Sequence, residues 1–157
     1  MITKWHIAQI NVGTTLYDAD DPRMSGFMNR LDKINGLADQ SPGFVWRLQS
    51  ESDNATDIDV GRGANFIINM SVWESAEALF DFVYRTGHRG VMVKRRQWFE
   101  RPNGPYQVLW WVPAGHRPTI EQANERLDHL KRHGPTAHAF TFKQRFPAPE
   151  EQPATAL

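Results

Sequence analysis

The stretch that decides the fold is residues 66–99, which read FIINMSVWESAEALFDFVYRTGHRGVMVKRRQWF. Residues 66–73 are mainly apolar, with β-branched and aromatic side chains, a composition typical of a strand buried on both faces. Ser75 offers an N-cap oxygen, and Glu77 places negative charge at the positive end of the helix that follows. The pattern predicts a strand, a helix that breaks at residues 86–87, and then a second helix.

The second predicted helix carries two ionisable side chains on its apolar face. Val91, Met92 and Arg95 follow His88 at spacings of three, four and seven, which places all four residues on one side of a helix. A partly buried imidazole titrates near neutral pH and suits a general base or proton shuttle. The alternative is a structural histidine that hydrogen-bonds to backbone at the Gly87 break. The arrangement predicts a pocket, with His88 and Arg95 as catalytic candidates and Met92 as a substrate contact.

The composition bounds the kinds of protein that this chain can be. A chain of 157 residues fits one domain, and its 18 basic and 18 acidic residues cancel, so nucleic acid and anionic membranes are not expected partners. Cysteine is absent, which excludes disulfides, thiolate chemistry and cysteine-ligated metals. The first residues lack the apolar core of a signal peptide, and no segment is long enough to cross a bilayer. We therefore expect a cytoplasmic protein.

The rest of the chain alternates strand and helix signals. Further strands are predicted at residues 5–12, 44–50 and 106–112, and residues 51–65 form a polar connection that is either a lid or a linker. Helices are predicted after Asp21-Pro22 and after Thr119, where Gln122 completes a capping box. The order is β-α-β-β-α-β with an extra C-terminal helix, which indicates an α+β, ferredoxin-like fold with an antiparallel sheet. Residues 1–146 form the domain, with a short edge strand within 139–146, and residues 147–157 a disordered tail.

Several polar and aromatic residues inside the predicted strands are further site candidates. Arg47 lies between aromatic residues, and a buried charge there needs a partner. That partner is either an anionic or phenolate substrate, which would make Arg47 catalytic, or a carboxylate such as Asp32 or Glu74. Candidate substrate contacts share a polar or aromatic side chain near the predicted pocket. They are Asn11, Trp46, Asn69, Trp73 and Tyr84.

Two features of the sequence concern partners and metals. Trp110 and Trp111 are neighbours in a strand and must point to opposite faces, so both faces of the sheet should be covered. Helices cover one face, and the other could be covered by a second subunit. His129 and His133 have the spacing of a metal pair, but no glutamate separates them as in metalloproteases. They also lie near a helix C-terminus, where histidine is favourable in any case, so no metal site is expected.

Four motifs together resemble an uncharacterised bacterial family of the dimeric α/β-barrel superfamily, which also contains antibiotic-biosynthesis and haem-degrading monooxygenases. These motifs are SPGFVWRLQ (41–49), SVWES (71–75), FVY..GH (82–88) and LWWVPAGHRPT (109–119). The resemblance implies a homodimer whose two sheets close into one barrel, with a pocket in each subunit between sheet and helices. It also implies that Asn11 and His88 correspond to the asparagine and helix histidine of the haem-degrading enzymes, whose tryptophan is replaced by Ala78.

Three functions follow as expectations. The first is an enzyme of the antibiotic-biosynthesis-monooxygenase type, active in secondary metabolism without an organic cofactor. It would act on a hydrophobic aromatic or polyketide-like substrate, with His88 transferring a proton in a monooxygenation, cyclisation or isomerisation. The second is a haem-binding or haem-modifying protein with His88 as axial ligand. The third is a dimeric module that binds a ligand without catalysis.

Overall fold

The computed structural model describes residues 4–18, 20–49, 65–85 and 95–149. The strands are β1 (Trp5–Thr14), β2 (Phe44–Arg47), β3 (Phe66–Trp73) and β4 (Gln107–Pro113). A 3₁₀ turn (Pro22–Met24) precedes helix α1 (Ser25–Asp39), and the other helices are α2 (Ala76–Arg85) and α3 (Ile120–His133). Residues 95–98 are also helical. Most of the predicted connection at residues 51–65 and of the predicted tail lies outside the described residues.

The strands form one four-stranded sheet in the order β2-β3-β1-β4. Every neighbouring pair is antiparallel, and Gln9 of β1 lies between Ser71 of β3 and Leu109 of β4. With this order the chain has the ferredoxin-like α+β fold, extended by α3. The predicted fold class is therefore confirmed.

The helix starts follow from local hydrogen bonds that the sequence predicts. Asp21 caps the turn before α1, where its carboxylate accepts a hydrogen bond from the Arg23 amide at 2.8 Å. Ser75 Oγ accepts one from the Ala78 amide at 3.1 Å at the start of α2. Thr119 and Gln122 form a complete capping box at α3. Each contact satisfies a backbone amide that has no partner within its helix.

The two faces of the sheet have different coverings. We call the face that carries Ala8, Ile10 and Trp110 the α3 face, because its buried residues pack with Leu127 and Leu130 of α3. The opposite face, which we call the cavity face, looks toward α1 and α2 and carries the odd-numbered residues of β1 and β3. Trp111 packs on the cavity side, so the adjacent tryptophans do point to opposite faces. The sequence left open whether a second subunit covers one face of the sheet. In the structure, α3 of the same chain covers that face.

The C-terminal segment differs from the predicted edge strand. Within residues 139–146, pairing with β4 is limited to an isolated bridge between Leu109 and Phe140. The segment is held beyond that point by a side chain, because Trp111 Nε1 donates to the Phe146 carbonyl at 2.9 Å. Ala148, inside the predicted tail, is buried. Segment 139–148 thus packs against the sheet edge mainly through aromatic side chains and not through a ladder of backbone hydrogen bonds.

Candidate functional site

A cavity of about 190 Å³ lies between the cavity face of the sheet and helices α1 and α2. Its floor is formed by alternate residues of β1 and β3, since side chains two apart in a strand share a face. Its roof includes Leu31 and Ile34 of α1 and Leu79 and Phe82 of α2. The volume is smaller than the roughly 300 Å³ at which drug-sized pockets begin, so the cavity suits a compact ligand.

Hydrogen-bonded polar side chains form the middle of the floor. Gln9 Nε2 donates to Asn69 Oδ1 at 3.0 Å and to Ser71 Oγ at 2.8 Å. Asn11 Nδ2 donates to Gln9 Oε1 at 3.3 Å and lies 3.4 Å from Asn69 Oδ1. Gln9 and Ser71 are buried, so this network fixes amide groups at the base of an otherwise apolar space. Such a floor can orient a ligand carbonyl or hydroxyl.

One end of the cavity is aromatic. Trp73 is buried, and its indole Nε1 donates to Ser71 Oγ at 2.9 Å. Phe44 lies edge-on to Trp73 with ring centroids 5.4 Å apart, and Phe82 lies against it at 4.9 Å. The indole is only 1% exposed and is held by both a hydrogen bond and ring contacts, so it closes this end of the cavity as a fixed apolar wall.

The other end of the cavity contains Arg95. Its NH2 donates to the Val12 carbonyl at 3.0 Å, and its Cζ lies 4.5 Å from the Phe99 ring centroid and 4.4 Å from that of Tyr106. Burial lowers the pKa of Arg95, yet a guanidinium stays charged at neutral pH. Its Nε is buried and has no hydrogen-bond partner among the described residues. A charged donor is therefore held at the cavity by two rings and one carbonyl.

Arg30 of α1 is a second cation on the same cavity, and sequence reasoning missed it. Its Cζ lies 5.9 Å from the ring centroid of Trp98, so both arginines are near the aromatic pair Trp98 and Phe99. The missed signal is helical spacing: Arg30 follows Phe27 by three residues, and both line the cavity. Among the described lining residues there is no aspartate or glutamate.

The structure brings together some of the predicted site residues and separates others. Asn11, Asn69, Trp73 and Arg95 line one cavity. His88 and Met92 lie outside the described residues.

Three candidates lie away from the described cavity lining. Trp46 packs against the core of the α3 face, and Tyr84 is exposed. Arg47 is buried, and its Nε donates to Asp39 Oδ1 at 2.7 Å and its NH2 to Asp39 Oδ2 at 3.1 Å. Among the described residues, Asp39 of α1 is therefore a carboxylate partner of Arg47; the sequence had indicated such a partner, with Asp32 and Glu74 as examples.

The histidines of α3 form a separate cluster on the far side of the sheet. The His129 ring lies 4.5 Å from those of both His133 and His138, between centroids. His138 is already engaged, because its ring nitrogens contact Glu125 and Arg126. In the part of the chain that the structure describes, no group of three or more ligating side chains could hold a metal ion.

Comparison with sequence families decides the relationship. The model of a family described as "Domain of unknown function (DUF3291)" matches residues 6–156, which is nearly the whole chain. The chain belongs to this DUF3291 family. No curated protein matches the sequence significantly, and none of the helices in the described ranges is long and apolar enough to cross a membrane.

Solved structures of similar fold include proteins of the antibiotic-biosynthesis-monooxygenase type. SnoaB, a cofactor-independent oxygenase from Streptomyces nogalater, is 16% identical with a TM-score of 0.43, over 73% of this chain and 95% of SnoaB. A candidate antibiotic biosynthesis monooxygenase from Nitrosomonas europaea is 7% identical with a TM-score of 0.46, over 76% of this chain and 98% of that one. A Nitrosomonas europaea protein of unknown function, NE2512, is 9% identical with a TM-score of 0.44, over 75% and 97%.

Proposed function

We propose that this DUF3291 chain is a small-molecule enzyme that binds a compact, hydrophobic aromatic substrate in the cavity and transfers a proton without an organic cofactor. The observation that carries the proposal is the combination in one cavity of a fixed indole, a floor of amide groups and the charged donor Arg95. An apolar cavity with a few convergent polar groups is the usual form of a small-molecule site.

The proposed chemistry begins with removal of an acidic proton from carbon or from a phenol. His88, assigned from its helical spacing to Arg95, accepts the proton and becomes an imidazolium. The electron pair of the broken C–H or O–H bond moves onto the substrate oxygen and forms an enolate or phenolate. Arg95 stabilises this oxyanion, because a charged donor in a partly buried site interacts more strongly with charge than it would in water. Asn11 and Asn69 orient the carbonyl from which the oxyanion forms.

Three reaction types share this first step. Return of the proton at another carbon gives isomerisation. Attack of the carbanion on a second carbonyl gives cyclisation, and the oxygen of that carbonyl takes the proton back from the imidazolium. Reaction of the carbanion with dioxygen and the returned proton gives a hydroperoxide, which loses water and leaves one oxygen atom on the substrate as a carbonyl, a monooxygenation. Among the described lining residues there is no histidine, so the haem alternative depends on His88 alone. Titration with hemin tests it, since an axial histidine would shift the Soret band and His88→Ala would abolish that shift.

We also propose the homodimer that the resemblance implies. Because α3 covers one face of the sheet, it limits where a second copy could bind. Ile10, Met70 and Val108 on the α3 face are each no more than 1% exposed within the single chain. Because a sheet packs on another through apolar residues of this kind, a partner sheet could reach them only after α3 had moved. A second copy would therefore pack elsewhere.

A proton-exchange experiment tests the proposal without knowledge of the natural substrate. 2-Tetralone is a bicyclic aromatic ketone with an acidic C–H, and the loss of that proton signal in D₂O is followed by NMR. The wild-type protein should accelerate exchange over buffer, His88→Ala should remove the acceleration, and Arg95→Gln should reduce it. His116→Ala is the matched control, because His116 is exposed and is not among the described lining residues. Proton exchange at the buffer rate with the wild-type protein, or a wild-type exchange rate with His88→Ala, would refute the proposed proton transfer.

A further inference from the structure

The cavity is polarised along the direction of β1. Trp73 lies beside Ile7 in the register, Asn69 beside Asn11, and Ile67 beside Gly13. The aromatic end, the amide floor and the arginine end therefore follow one another along the strand. From Ile7 to Gly13 the strand advances roughly 20 Å, at about 3.3 Å per residue. The Trp73 indole leans toward Ser71, which lies beside Gln9, and from Gln9 to Gly13 the strand advances roughly 13 Å.

The arginine end carries positive charge that no described residue of the lining balances. Arg30 and Arg95 both line the cavity, and no described lining residue is acidic. Of the two carboxylates of α1, Asp32 is exposed, and Asp39 is held by Arg47 through two hydrogen bonds. Rings and one carbonyl surround the Arg95 guanidinium, and these contacts compensate a buried charge only in part.

A specific donor also lacks an acceptor at this end. The Nε of Arg95 is buried without a hydrogen-bond partner among described groups. Buried donors in folded proteins nearly always have a partner, and the fork geometry of arginine favours a carboxylate. The position next to Gly13 is close-packed, since an added Cβ there would lie 2.9 Å from Arg95 NH2. The guanidinium is thus fixed in place before a ligand arrives.

From these features we infer that the substrate is an aromatic acid, whose carboxylate is recognised by Arg95 and Arg30 while its rings extend along the floor toward the Trp73 end. This inference rests on the proposed function and specifies its substrate class. Together the two arginines carry two positive charges: one charge balances the carboxylate that the substrate brings, and the second remains for the oxyanion that forms during proton transfer. Arg30 is accordingly a substrate-binding residue that determines charge specificity.

Calorimetric titration with 2-naphthoate and 2-naphthamide tests the inference, because these probes share the bicyclic body and differ in charge. We expect 2-naphthoate to bind the wild-type protein roughly 10- to 100-fold more tightly than 2-naphthamide, the range expected for charge-assisted hydrogen bonds. Arg30→Gln and Arg95→Gln should each weaken binding of 2-naphthoate about tenfold and leave 2-naphthamide nearly unchanged. Arg96→Gln is the matched control, since Arg96 is the exposed neighbour of Arg95.

The possible results separate the inference from the proposed function. Equal affinities of the two probes for the wild-type protein would refute charge recognition while leaving the aromatic cavity in place. Failure of both probes to bind would overturn the proposed function together with the inference. Arg30 is half-buried and does not belong to the core, so Arg30→Gln should fold even if Arg95→Gln does not. Unchanged 2-naphthoate affinity in folded Arg30→Gln would overturn the role of Arg30.

Discussion

Replacing Gly13 by alanine should damage the cavity at its arginine end. An added Cβ would lie 2.5 Å from Cδ1 and 2.8 Å from Cε1 of Phe99, and 2.9 Å from NH2 of Arg95. Phe99 cannot easily turn away, because it is buried and packs edge-on against Phe27 with centroids 5.0 Å apart. Overpacking of this kind costs about 1–3 kcal/mol. The melting temperature should fall by about 2–4 °C for each kcal/mol in a domain of this size.

Gly36→Ala is the matched control for this substitution. Gly36 is in the exposed part of α1, and an added Cβ there would meet no atom within 4 Å. Alanine in a helix interior is favoured over glycine by about 1 kcal/mol, so the control should become more stable. Both variants are compared by urea unfolding, and 2-naphthoate binding should weaken only in Gly13→Ala because Arg95 is displaced. A Gly13→Ala protein as stable as the wild type would refute the packing that we describe.

Three other substitutions test the rest of the structure. Leu127→Ala should lower the free energy of unfolding by about 2–5 kcal/mol, because Leu127 is fully buried on the α3 face. Leu37→Ala, at an exposed site, should change it little, and equal urea midpoints of the two variants would contradict the packing of α3. Asp39→Asn should cost about 1–3 kcal/mol, since the buried Arg47 loses the charge of one acceptor, and an unchanged urea midpoint would argue against this ion pair. Burial lowers the pKa of His6 below 6.5, so the unfolded chain binds more protons there and the free energy of unfolding falls as the pH drops below about 6.5. His6→Leu should make this decline between about pH 7 and pH 5 shallower in urea titrations. An identical decline in the variant would exclude His6 as a cause.

Local signals in the sequence were sufficient to predict most of the fold. The capping box at Thr119 and the N-cap at Ser75 depend on neighbours three residues apart, and such contacts can be read directly from the chain. The amphipathic stripe of α3 was equally visible, but the face of the sheet that it covers was not. Which face α3 covers depends on the path of the chain after β4, and neither the spacing of apolar residues nor the capping motif determines that path.

The candidate site was only partly predictable for the same reason. Asn69 and Trp73 share a strand face by simple alternation, and both were candidate substrate contacts from the sequence. Arg30 was missed because a charge in an amphipathic helix normally faces solvent, and only the packing of α1 turns it toward the cavity. A carboxylate partner for Arg47 was predicted in kind but not in position, because the end of α1 brings Asp39 to β2 and helical spacing alone gives no such distance.

The most direct test of the central claim is a crystal structure of the protein with bound 2-naphthoate. We expect the naphthalene rings between the sheet and helices α1 and α2, on the side toward Trp73, with the carboxylate toward Arg95 and Arg30. A cavity that is empty at saturating ligand, or a ligand bound on the α3 side of the sheet, would contradict it.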